Sequence, residues 1–145
     1  MNNPTSGYLL FQAGARDYAL SLAALHEIAD LLPITPLPGA PSFLLGATNF
    51  HGKIAAVVDL AAFVENTPPA AARSNLLLLS LPGASLALAI SRLGLIVHPE
   101  DIHATEPASA PYAEAELIMT AERVTLIAPD RLLTAIETAL AESVE

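Results

Sequence analysis

Four histidines, His26, His51, His98 and His103, are the side chains of this chain best placed to do chemistry near neutral pH, because imidazole exchanges a proton there and also ligates metals. In "HPEDIH", residues 98–103, two of them flank Glu100 and Asp101, so nitrogen and oxygen donors stand close together. Pro99 makes this stretch a loop, however, and no zinc motif has its spacing, so it reads as a solvated turn that ends a strand. His51 and Asp59 sit on adjoining elements, and a general acid–base pair would need them within hydrogen-bond reach inside a cleft. No Gly-x-Ser-x-Gly elbow is present, and the 7 glycines are too dispersed for a phosphate-binding loop. With 0 cysteines, thiolate nucleophiles, disulfides and Cys-ligated zinc are excluded, which fits a reducing compartment such as the cytoplasm. No catalytic, metal-binding or cofactor-binding set is therefore expected. The alternative, a small β-barrel enzyme or ligand-binding domain using His51 and Asp59, requires a closed pocket where His51 meets a carboxylate.

Around His51 the stretch "GATNFHGKIAAVVDL", residues 46–60, has a structural reading for nearly every polar position. Gly52 supplies a positive φ to a turn between two strands, Gly46 serves backbone geometry, and Asn49 satisfies turn amides. Asp59 is expected to cap the short helix that "LAAFV" would form, accepting from its free amides. His51 has no such role: between Phe50 and Lys53 at a turn tip it is exposed and amphipathic, a candidate partner contact.

The composition limits the partners. Of the 145 residues 53% are hydrophobic and only 14% charged, which argues against disorder and for exposed apolar surface. The net charge is −9, and the 6 Lys and Arg are scattered, so neither nucleic acid nor an anionic membrane surface is an expected partner. The longest apolar run, residues 76–90, is interrupted by Pro82-Gly83 and is shorter than the roughly 20 residues that span a bilayer. A hairpin of two buried strands, with no membrane insertion, is the expectation. The N-terminus has no basic region ahead of an apolar core and does not read as a secretory signal.

The elements that must carry these residues are mostly short strands. "YLLFQAG" and "DYALSL" form a hairpin signal, and prolines 33, 36, 38 and 41 make the following stretch a turn-rich crossover. Residues 1–6 form a flexible leader and 65–74 a Pro/Ala-rich surface loop, with a second, acidic loop at 103–116. "LIMTA" and "RVTLIA" are two more strands, and Pro129 opens a terminal helix whose Leu132, Leu133, Ile136 and Leu140 share a face. Nine or ten short strands and one helix predict an all-β barrel architecture in a single domain over 1–145.

The order of these residues resembles the CheW-like domain family. The resemblance rests on Tyr18-Ala19-Leu20, Leu25, Glu27-Ile28, Leu37-Pro38, Ala40-Pro41, Gly46, Asn49, Gly52, Ile54, Val57-Val58 and Asp59-Leu60, with the family's spacing kept from Tyr18 to Leu60. "LALAISRLGLIVHPEDI" and "AERVTLIAPDRLL" are similar to its later segments, so nearly the whole chain is covered. The departures are His51 where the family has Arg, Phe50 for Leu, Ala56 for Pro, and Ser91-Arg92-Leu93 for Asp-x-Val. Arg offers a permanent charge and a rigid fork of donors, and His does not. The resemblance implies two intertwined SH3-like five-stranded β-barrels with short helical turns and a C-terminal helix. It also implies a non-catalytic adaptor in the cytoplasm between the signalling tip of a methyl-accepting chemoreceptor and the regulatory domain of a CheA-type histidine kinase. The partner-binding positions it implies are Leu25, Glu27, Gly46, Asn49, His51, Gly52 and Lys53.

Overall fold

The computed structural model describes residues 7–68 and 73–142. The leader 1–6 and part of the 65–74 loop lie outside the described residues. Two strands open the chain, β1 (Tyr8–Ala13) and β2 (Arg16–Ser21), paired as the antiparallel hairpin their alternation predicts. After a single 3₁₀ turn at Leu22–Ala24 come β3 (Leu25–Asp30), β4 (Leu44–Phe50), β5 (Lys53–Asp59) and the short helix α1 (Leu60–Glu65). The strands β6 (Asn75–Leu79), β7 (Leu86–Ile90) and β8 (Arg92–Val97) follow, then a 3₁₀ turn at Pro99–Asp101. The chain continues through β9 (Ala104–Glu106), β10 (Ala113–Ile118) and β11 (Arg123–Ile127) to the helix α2 (Pro129–Glu142).

These strands make two sheets. One has six strands in the order β8-β1-β2-β11-β10-β9, and the other five in the order β3-β6-β7-β5-β4. The chain thus begins one lobe, builds the whole of the second, and returns to finish the first, which is the intertwining of two SH3-like barrels. The sixth strand of the first lobe lies inside the stretch expected to be an acidic loop. Ala104–Glu106 pairs with β10, and β10 itself starts at Ala113, well before the end of that stretch. A three-residue strand exposed at every position carries no apolar alternation, so nothing in its sequence announces it.

Packing explains the oily runs. β6 and β7 are buried along nearly their full length because each lies between two cores. Leu77 and Leu79 face a core shared by the two lobes, with Leu9, Phe11, Leu20, Val58, Leu88 and Ile127. Leu76 and Leu78 face the interior of the second lobe, with Phe50, Ala55, Val57, Ala87 and Ala89. Helix α2 seals the shared core with Leu132 and Ile136 fully buried and Leu133 and Leu140 partly so. α1 is held by its cap: Asp59 Oδ1 accepts from the Ala62 amide at 3.0 Å.

Backbone contacts close the second lobe upon itself. Beyond β3, Thr35 and Ala47 exchange two hydrogen bonds, 2.8 and 2.9 Å long, and the Thr48 hydroxyl donates to the Pro33 carbonyl at 2.8 Å. Gly46 makes that approach possible. Its φ is +145°, and a Cβ there would stand 2.1 Å from the Thr35 carbonyl oxygen.

Candidate functional site

The β4–β5 connection is a two-residue hairpin in which both central residues have positive φ, 51° at His51 and 84° at Gly52. That pair of values is the type I′ geometry, whose twist matches the strands it joins. Asn49 fixes the turn by accepting from the Gly52 amide at 2.9 Å. The turn presents His51 outward, 73% exposed, its ring edge-to-face with Phe50 at 5.4 Å. His51 Nε2 lies 3.1 Å from both oxygens of Glu27, which comes from β3 on the opposite edge of the same sheet. Because a carboxylate only accepts, Nε2 carries the proton and donates.

Beneath this pair is the mouth of the second barrel, a recess of about 210 Å³ lined by His26, Phe50, His51, Lys53, Ala55, Leu78 and Ser85. Of the seven candidate contacts, the structure therefore brings Glu27, Asn49, His51, Gly52 and Lys53 to one end of the lobe. Leu25 lies two residues from Glu27 but packs against the shared core, paired with Leu79. Gly46 is buried and contributes through its backbone alone. Reading the sequence named His26 only among the four histidines and missed Leu78 and Ser85; the three come from β3, β6 and the turn before β7 and share no local motif. Only the pairing of β3 with β6, β6 with β7 and β7 with β5 brings them together.

His51 and Asp59 do not meet. Asp59 is buried, capping α1 with one oxygen while the other lies 3.5 Å from Arg73 Nε. Arg73 was missed as well, a lone cation following a Pro/Ala-rich stretch. The carboxylate beside His51 is Glu27, and the pair stands on an exposed rim, so the His51–Asp59 site of the alternative reading is not assembled. At the other histidines, Asp101 caps the turn after His98 by accepting from its amide at 3.0 Å, and His103 Nε2 bonds the Thr120 hydroxyl at 2.7 Å. Among the described residues no cluster of three potential metal ligands forms. No helix among them is long and apolar enough to cross a membrane. Among the described residues, the shifted groups lie away from the mouth, at Tyr18 and Tyr112, whose phenols burial pushes above the usual range.

This two-lobed arrangement has known counterparts, and the model of the CheW-like domain family matches residues 7–137. The chain belongs to the CheW-like domain family. Chemotaxis protein CheW of Rhizobium meliloti (strain 1021) is 33% identical over 54 residues, 37% of this chain and 35% of that protein. Probable chemotaxis protein CheW of Rhizobium etli is 27% identical over 62 residues, 43% of this chain and 40% of that protein. The CheW-like chain thus aligns with between a third and two fifths of the length of these relatives. The crystal structure of scaffolding protein TtCheW from Thermoanaerobacter tengcongensis superposes with a TM-score of 0.72 at 18% identity, over 86% of this chain and 89% of that one. At that identity the likeness is one of fold, and it extends over both lobes of the CheW-like domain.

Proposed function

We propose that this CheW-like chain is a non-catalytic chemotaxis scaffold of the cytoplasm. In this reading it couples the signalling tip of a methyl-accepting chemoreceptor to the regulatory domain of a CheA-type histidine kinase, as a single domain over 1–145 with a leader at 1–6 and a surface loop at 65–74. The match of the CheW-like family model to residues 7–137 carries the proposal. Two physical features support it. The histidines and carboxylates that would do chemistry are engaged in caps and turns or exposed on a rim. Apolar side chains also remain uncovered, with Ile54 65% and Leu95 76% exposed, as suits a surface that assembles with other proteins. Leu25, Glu27, Gly46, Asn49, His51, Gly52 and Lys53 are the partner-binding positions of this reading. The chain is acidic, and neither nucleic acid nor membrane insertion belongs to it.

The test is a titration of the purified chain against a receptor signalling-tip fragment and a CheA regulatory domain near pH 7. Binding to both is the expected result. Failure to bind either would remove the scaffold reading.

A further inference from the structure

The barrel mouth combines an apolar floor with a rim that carries a lysine in a chain that is short of cations. Its floor is Phe50, Ala55 and Leu78, at most 9% exposed, and its rim carries His26, His51, Lys53 and Ser85. In the whole chain 6 Lys and Arg face 15 Asp and Glu. Yet Lys53 makes no ion pair among the described residues. Glu27, the carboxylate beside the rim, already accepts from His51 Nε2. The Lys53 ammonium, the His26 ring and the Ser85 hydroxyl are left to serve an incoming group.

We propose that this mouth binds the side chain of a glutamate presented by a partner protein. The two methylenes of glutamate reach the floor formed by Phe50, Ala55 and Leu78, and the carboxylate is received by Lys53 with Ser85 and His26 beside it. The recess, about 210 Å³, has room for one side chain and is too small for a nucleotide. Glu27 beside the rim repels a doubly charged phosphate more than a carboxylate, which favours the carboxylate of the two. The inference names the chemistry of a contact at the site of the scaffold reading and in that respect rests on it.

The experiment is a ¹⁵N-resolved NMR titration of the full chain with two blocked tripeptides, acetyl-Ala-Glu-Ala-amide and its Gln counterpart. With the Glu peptide, amide shifts confined to residues 26, 50–55 and 85 and saturating with a Kd of about 1–10 mM are expected. The Gln peptide leaves them in place, and Lys53→Gln weakens the Glu peptide by at least about threefold. No localised shift at about 20 mM Glu peptide, equal response to Gln, or an unchanged Kd in Lys53→Gln would each overturn the proposal. Glutarate and inorganic phosphate form the last arms, and saturation by either without the Glu peptide makes the mouth a small-anion site, which also overturns it. Partner titrations of the wild-type chain keep the two readings apart. Partners that bind while the Glu peptide does not leave the scaffold standing without this contact, and the reverse leaves the contact without the scaffold.

Discussion

His51 Nε2 stands 3.1 Å from both carboxylate oxygens of Glu27, so one exposed hydrogen-bonded pair spans from β3 to the β4–β5 turn, at opposite edges of one sheet. The pair sets the shape and charge of the barrel rim more than it stabilises the fold, since exposed pairs contribute little. His51→Arg places a permanently charged fork at the same spot. It is expected to leave Tm within about 3 °C and to tighten binding of a receptor-tip fragment by about threefold to fivefold. Isothermal titration with both forms side by side decides it, and weaker binding by the Arg form would show that imidazole itself is required.

Gly46 is the position where the second lobe tolerates no side chain. A Cβ would be 2.1 Å from the Thr35 oxygen, at a φ of +145° that L residues avoid. Gly46→Ala should cost about 3 kcal/mol or more, lowering Tm by roughly 10 °C. Gly39→Ala is the control, because its φ is also positive at +76° but nothing lies within 4 Å. It should cost only about 1 kcal/mol, and equal losses at the two positions would refute the steric account.

Asp59 performs two structural tasks that separate by substitution. Asp59→Asn keeps an oxygen to cap the Ala62 amide but gives up the charge opposite Arg73. Asp59→Ala loses both, and urea unfolding should show a loss of about 2 kcal/mol for Ala against about 1 kcal/mol for Asn. Identical losses would mean that the cap contributes nothing.

Tyr18 makes stability fall in alkali. Burial, with the neighbouring Tyr112 second, pushes its phenol well above the usual range. The folded chain therefore keeps a proton that the unfolded chain releases above about pH 10. The stabilisation from this group is complete below that pH and is lost as the pH climbs further. Tyr18→Phe preserves the stack on Phe11, whose centroid is 5.8 Å away, and should flatten the decline in Tm between about pH 9.5 and 11.5. Tyr112 is shifted in the same direction, so some slope remains. A decline as steep in the Phe form as in the wild type would clear Tyr18.

Much of this molecule was legible where local physics decides it. The hairpin of β1 and β2, the turn at Asn49–Lys53, the Asp59 cap and the apolar face of α2 all follow from residues within a few positions of one another. β9 escaped because it has no apolar pattern and exists through pairing with β10 alone. The positive φ of His51 escaped because a bulky residue rarely adopts it. The composition of the barrel mouth escaped for a different reason. Its residues meet only when β3, β6, β7 and β5 are in register, which no spacing along the chain encodes. The resemblance singled out Glu27 and His51 separately, and the structure supplied the bond between them.

The parallel pairing of β2 with β11 sets Ala19 beside Leu126, so a strand made early waits for one made much later. The second lobe, whose five strands are contiguous in the chain, needs no such delay. On the ribosome it can gather before β11 and α2 are made, while Leu77, Leu79 and Leu88 still lack the cover of Ile127, Leu132 and Ile136. That interval exposes the nascent chain to aggregation and gives a holding chaperone its surface to grip.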